Sequence, residues 1–160
     1  MGIIHVRIDD RLIHGQVATM WTNHLSATRI MVVDDAAASS DVMKMSLKLA
    51  TPNGVSLSVL PVEKVAPRII EGSYEGQRVF MIIKSPETLV RLLEAGVKIK
   101  SVNVGNLTYT SDKTKVTNTV AVSMQDVENF KKLNALGVEL TIQLIPSNPT
   151  ENFMNLINSL

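Results

Sequence analysis

The sequence predicts an α/β fold: an open, mostly parallel central sheet of about seven strands with helices on both faces. Two observations lead there. Short runs rich in β-branched residues alternate with longer stretches whose apolar residues recur at helical spacing, the pattern of sequential βα units. Several of the short runs, among them RIMVV (Arg29–Val33) and RVFMII (Arg78–Ile83), are apolar at consecutive positions, as parallel strands covered on both faces must be. Units of this kind join by right-handed crossovers, and ligands then sit beyond the carboxyl ends of the strands, near the point where the strand order reverses.

Each element has its own signal. Ile3–Ile8 reads as the first strand, with His5 alternating among apolar neighbours. Val17, Met20, Trp21, His24 and Leu25 recur at helical spacing, placing a helix directly afterwards with its N-terminus near His14–Gly15. Arg29–Val33 is the second strand. Ser39 or Ser40 caps a second helix that ends at the Thr51–Gly54 turn, and Val55–Leu60 follows as a strand. The helix after Pro61 contains Pro67, which lacks an N–H donor, so that helix is expected to be short or kinked. Arg78–Ile83 is the fourth strand. Ser85, Pro86 and Glu87 supply a cap, a first-turn proline and a first-turn acid to a helix carrying Leu89, Leu92 and Leu93 and stopping at Gly96. After the strand Ser101–Val104, the segment Asn103–Lys115 is too polar for a helical crossover and is expected to form a β-ribbon leading into an edge strand within Lys115–Val122. Ser123 opens a helix with Val127, Phe130 and Leu133 inward and Gly137 as its left-handed cap. Val138–Ile145 is the last strand, and beyond Pro146 and Pro149 a terminal helix puts Phe153, Leu156, Ile157 and Leu160 on one face. With no linker, repeat or low-complexity tract, residues 1–160 are expected to form one domain.

Composition narrows the function. An apolar fraction of 45% against 19% charged residues supplies a buried core and excludes a wholly disordered chain. Sixteen Lys plus Arg against fifteen Asp plus Glu leave a formal charge of +1, so no electrostatic footprint for nucleic acid is present. Cysteine is absent, which removes disulfides, thiolate metal sites and cysteine nucleophiles and fits a reducing cytosol. No apolar run reaches the roughly 18–20 residues of a membrane span, and MGIIHVRIDD lacks the order of a signal peptide, so a soluble, unprocessed chain is expected. Neither a GxxxxGK[ST] phosphate loop, nor GxGxxG after a strand, nor a GxSxG elbow occurs.

The densest group of reactive residues, Asp9-Asp10-Arg11-Leu12-Ile13-His14-Gly15, falls in the first βα loop, where the fold rule places a site. His14 would stand just before a helix whose free N–H groups and positive dipole end suit an anion, and Gly15 permits close backbone approach. A neutral imidazole has one bare nitrogen with which to attack. Asp9 or Asp10 could accept the other ring N–H, and Arg11 offers a planar donor fork for phosphoryl oxygens. Plainer readings stand beside these: His14 as an exposed polar residue, and Asp9 and Asp10 as helix caps. His5 reads as a structural histidine, His24 as capping or packing the end of its helix, and Asp34-Asp35 as loop caps, since no third ligand accompanies them. Lys84-Ser85 could make a second anion seat but reads first as an ordinary helix start.

The segment RIDDRLIHGQV (Arg7–Val17) resembles the active-site signature of the B component of the mannose/fructose/sorbose family of the bacterial sugar phosphotransferase system. The likeness extends through VNVGN (Val102–Asn106) and DVENFKKLNALGVELTIQLIPSN (Asp126–Asn148). It implies a sugar phosphotransferase subunit, cytoplasmic and peripherally associated with the membrane transporter. His14 would take a phosphoryl group from the phosphohistidine of the IIA component, carry it as a pros-phosphohistidine, and pass it to a sugar arriving through the membrane IIC and IID components. The residues themselves leave the choice of ring nitrogen open. By the same resemblance Arg11 is the charge partner of the phosphate, Asp9, Asp10 and Gly15 orient and shape the loop, and no metal or cofactor is needed. A receiver-type signalling module, the main rival, requires an acceptor Asp at the end of the third strand, where this chain has Leu60-Pro61. A binding domain of the same fold, without covalent chemistry, is the other alternative.

Overall fold

The computed structural model describes residues 2–160. Its strands are β1 (Gly2–Asp9), β2 (Arg29–Val33), β3 (Ser56–Leu60), β4 (Arg78–Ile83), β5 (Ser101–Asn106), β6 (Thr114–Lys115), β7 (Ala121–Val122), β8 (Glu139–Ile142) and β9 (Glu151–Asn152). The helices are α1 (Gly15–Leu25), α2 (Asp35–Ala38), α3 (Asp41–Ala50), α4 (Val62–Ile70), α5 (Pro86–Glu94), α6 (Met124–Ala135) and α7 (Phe153–Asn158). The central sheet is mixed and mostly parallel, seven strands in the order β3-β2-β4-β1-β5-β8-β9, with β9 antiparallel to β8.

The doubly apolar strands divide their residues between two layers. Ile30 and Val32 of β2 and Phe80 and Ile82 of β4 pack under Ala18 and Trp21 of α1, Ala37 of α2 and Leu47 of α3. Met31, Val33, Met81 and Ile83 point the other way, against α4, α5, α6 and α7. That period-two division is why these strands show no hydrophobic–polar alternation in sequence. β1 is the exception. Val6 and Ile8 join the α4–α7 side, whereas His5, Arg7 and Asp9 alternate with them and face α1.

Several boundaries differ from expectation for identifiable reasons. The Lys115–Val122 run does not enter the central sheet: β6 and β7 form a separate antiparallel ribbon, tied to the end of β5 through the Leu107–Val120 bridge. The seventh strand is instead β9, two exposed polar residues paired to Thr141 and Ile142 through backbone, which leaves no side-chain pattern to read. β8 stops at Ile142, short of Ile145, because the next two carbonyls are taken by side chains: Gln143 accepts from Arg7 and Asn103, and Leu144 accepts from the Trp21 indole at 3.0 Å. On α1 the inward residues are Ala18, Trp21 and Thr22, so Met20 and His24 lie outside the buried stripe. The short α2 precedes α3, and α3 takes Ser40 as its cap. In α7, Met154 is buried with Phe153 and Ile157, while Leu160 lies past the helix and is exposed. Pro67 sits inside a nine-residue α4 that ends three residues later, and the Ser123–Asp126 capping box starts α6.

His5 is structural. Its ring stacks on Trp21 at 4.7 Å, and its Nε2 is buried without a partner among the described residues. Burial, and then the charge of Arg7, lower its pKa from 6.5 to about 4. The unfolded chain therefore binds this proton more tightly than the folded one, so stability is full above about pH 6.5 and falls as pH drops toward 4. A difference of that size is worth about 2 kcal/mol at pH 5 relative to pH 8. Urea midpoints at the two pH values should separate less in His5→Phe than in the parent; equal separations would show that His5 carries no such linkage.

Candidate functional site

The β1–α1 loop lies at the carboxyl edge of the sheet, where the chain reverses: β1 sends its connection over the α1–α3 face, while the neighbouring β4 sends its own over the α4–α7 face. That is the crevice where this architecture places ligands. Within the loop, Leu12 and Ile13 are buried in the core beneath α1, and the following three residues, His14, Gly15 and Gln16, are exposed. The two apolar anchors thus fix the loop and lift His14 out of it.

The backbone is strained to do this. Leu12 has φ +60, a conformation that costs an L-residue about 1–2 kcal/mol, and it is held by a 2.9 Å bond from its N–H to the Asp9 carbonyl and by its buried side chain. Gly15 follows with φ +50 as the first helical residue. There is open space where its Cβ would stand, so the glycine answers the backbone angle and not a clash. His14 is the N-cap of α1, its side chain makes no capping bond, and no acid occupies the first turn. The first N–H groups of α1 therefore point outward with the positive end of the helix dipole behind them.

Charge is organised beneath the loop. Asp9, with its side chain 3% exposed, accepts from Arg11 through both oxygens: Oδ1 from the Arg11 backbone N–H at 3.0 Å and from Nε at 3.1 Å, and Oδ2 from Nη2 at 3.1 Å. Its Oδ2 also takes a longer bond from Arg7 at 3.4 Å. Arg7 is buried, donates to Asn103 and to the Gln143 carbonyl, and lies 5.4 Å from the Trp21 ring. Burial lowers its pKa to about 10 against the opposing pull of Asp9, so it stays cationic at neutral pH. Gly105 makes room for it, because a Cβ there would overlap the Arg7 guanidinium. Two of the five Arg11 side-chain donors are spent on Asp9; the rest of the guanidinium, part-exposed, faces outward.

The expected site residues are brought together unevenly. Asp9 and Asp10 are not bonded to the His14 ring among the described residues. Asp9 braces Arg11, and Asp10 accepts from Asn106 at 2.9 Å and from the Thr108 N–H at 2.7 Å, tying the loop to the end of β5. Lys84 lines a groove of about 260 Å³ with Asp10, Arg11, Leu12, Ile13 and Val42. Ser85 takes the N-cap position of α5 without a side-chain bond and does not line that groove. Asp34 caps α2, accepting from Ala37, and Asp35 accepts from the Val62 N–H, so both are loop caps as expected. His24 turns its ring edge toward Trp21 at 6.0 Å. Arg11 also lines a second groove of about 200 Å³ toward the β6–β7 ribbon, with Thr108, Tyr109, Lys115, Thr117 and Thr119. Arg7, Asn103 and Gly105 are the supporting residues to which sequence reasoning gave no role; the signal was a charged residue placed between Val6 and Ile8 in an apolar strand.

The family profile described as PTS system sorbose subfamily IIB component matches residues 3–160. The mannose-specific EIIAB component of Escherichia coli K12 is 44% identical over 154 residues, 96% of this chain, which spans 48% of that protein's length. The fructose-specific EIIB component of Bacillus subtilis is 36% identical over 99% of this chain and 98% of its own. Among solved structures, the IIBSor domain of the sorbose permease from Klebsiella pneumoniae superposes with a TM-score of 0.94 at 33% identity, covering 99% of this chain and 98% of that one. With likeness running the length of the chain, the protein belongs to the sorbose subfamily of the PTS system IIB components.

Proposed function

We propose that His14 is the phosphoryl carrier of this IIB component. The lone pair of one ring nitrogen attacks the phosphorus of a phosphohistidine on the IIA component; the new P–N bond forms as the donor's P–N bond breaks, and the donor imidazole leaves. In the second step a sugar hydroxyl presented by the membrane IIC and IID components attacks the phosphoryl group: the new P–O bond forms as the P–N bond to His14 breaks, the imidazole is released, and the hydroxyl proton passes to solvent. The pros nitrogen is the expected attachment point, and a cytoplasmic position against the membrane transporter follows from this relay. Histidine is a competent carrier, and such transfers are governed by positioning and charge stabilisation.

One observation carries the reading: His14 stands exposed on an uncapped, acid-free helix N-terminus, three residues after an arginine already braced by a buried carboxylate. Arg11 and the helix N–H groups would hold the phosphoryl oxygens without rearranging, and Gly15 keeps the backbone close to them. Lys84, across the groove, would add a second positive charge, with Ser85 beside it at the head of α5. The pair of grooves flanking Arg11 gives two directions of approach, as two successive partners require.

Arg11→Ala tests the arrangement. Transfer onto His14 is expected to slow by about 10²-fold, the usual cost of losing one pre-organised charge-stabilising donor, while circular dichroism remains native. Rapid-quench kinetics equal to those of the parent would remove Arg11 from the mechanism.

A further inference from the structure

We propose that α3 is the docking ridge for the phosphohistidine donor, recognising a protein face with an apolar centre and an acidic rim; this rests on the reading that His14 is the carrier. α3 exposes Val42, Met45 and Leu49, at 78%, 63% and 82%. Their spacing of three and four residues sets them in one stripe down the solvent side, where a surface helix is ordinarily polar. The inward side is also apolar, with Leu47 buried and Met43 and Ala50 packed partly against the core. The outer stripe is thus surplus to folding.

Its position ties it to the site. Val42 and Met43 line the same groove as Arg11, Leu12, Ile13 and Lys84, so the ridge begins beside the carrier loop and runs away from it for roughly 10 Å, at about 1.5 Å per residue. Lys44 and Lys48 along α3 and Arg29 at the start of β2 line a cavity of about 740 Å³ between α3 and the edge strand β3. Lys44 and Lys48 therefore flank the stripe on one side, and Lys84 lies in the groove at its start. The acids nearby are Asp41 at the start of α3, Asp10, whose carboxylate is occupied by Asn106 and Thr108, and Asp34 and Asp35 at the start of the adjoining α2, which are engaged with Ala37 and with Val62 and Arg91.

That charge pattern selects the occupant. A second copy, pairing across a two-fold axis, would bring Lys44 and Lys48 against their own equivalents, and like charges in an interface are costly. A donor with acids around an apolar patch meets complementary charge, and the interface can still be small and transient, as a carrier that must release one partner for the next demands. The groove on the other side of Arg11 is lined by Thr108, Tyr109, Lys115, Thr117 and Thr119, a more polar surface than the α3 side and suited to the acceptor step.

The test is steady-state phosphorylation of the full chain by a phosphorylated IIA component of the mannose type. Met45→Asp should raise the KM for that donor at least about tenfold with kcat within about twofold. The double variant Lys44→Glu, Lys48→Glu should raise KM at low salt and lose the salt dependence of the parent. Leu136→Asp, an exposed apolar position at the end of α6, should leave KM unchanged. If the parent is not phosphorylated at all, the carrier reading fails and docking with it. If the parent is phosphorylated and both α3 variants keep its KM, docking alone is overturned. Docking is overturned equally if Met45→Asp slows only transfer to sugar or only abolishes self-association.

Discussion

His14→Ala is expected to stop phosphoryl acceptance, with residual transfer below about 10⁻⁴ of the parent rate, while the unfolding midpoint barely moves. The two halves of this result have separate physical origins. The nucleophilic nitrogen is gone and no neighbouring group can replace it: Asp9 is committed to Arg11 and Arg7, and Asp10 to Asn106 and Thr108. Stability should change by less than about 0.5 kcal/mol, the usual range for an exposed surface position, because the side chain makes no capping bond whose loss would matter. Thermal unfolding beside a single-turnover assay checks both. A large drop in Tm would make His14 a structural residue, and transfer retained in a folded variant would move the carrier elsewhere.

Gly105→Ala is expected to be as damaging to the fold as His14→Ala is harmless. The added methyl would occupy the space of the Arg7 guanidinium, and this contact is with a buried, hydrogen-bonded charge that has nowhere to go. Displacing Arg7 breaks its bonds to Asn103 and to the Gln143 carbonyl and leaves Asp9 with Arg11 alone. Disrupting a buried ion pair by removing one partner costs about 3–5 kcal/mol, which for a chain of this size lowers Tm by roughly 10 °C. Arg7→Met in the same background should restore part of the loss, since the methyl then meets a flexible apolar chain. A Gly105→Ala protein as stable as the parent would mean that Arg7 is not wedged against β5.

The α/β architecture was legible because its signals are local and redundant: β2 and β4 fall at Arg29–Val33 and Arg78–Ile83 as read from their apolar runs, and the starts of α5 and α6 follow from Pro86 and Ser123. The elements that escaped owe their existence to partners far along the chain. β9 is two polar residues held by backbone pairing to β8, and β8 ends where its following carbonyls accept from Arg7, Asn103 and Trp21, up to 136 positions away. No window of sequence contains that information. The same division runs through the site. The position of His14 before α1 could be seen in the order of residues, whereas the positive φ that Gly15 answers, the bracing of Arg11 by Asp9 and the wedge of Arg7 against Gly105 could not. Those depend on β1 lying beside β5 in one particular register, Arg7 opposite Asn103.

The acids of the loop serve the fold: Asp10 ties it to the end of β5, and Asp9 joins its two arginines. Asp9 neutralises Arg7 within the sheet and, with the same carboxylate, sets the plane of the Arg11 guanidinium at the surface. Arg11 is thereby pre-organised, which in the proposed relay would lower the reorganisation needed when a phosphoryl group arrives.

One covalent bond, between a ring nitrogen of His14 and phosphorus, stands at the centre of the proposed relay. The protein should be incubated with phosphoenolpyruvate, the two general phosphotransferase proteins and a IIA component, then weighed intact and mapped by proteolysis at alkaline pH. A single acid-labile phosphoryl adduct on the peptide that contains His14, absent from His14→Ala, is the expected result. An adduct on another residue, or none in the presence of a demonstrably phosphorylated IIA component, would contradict it.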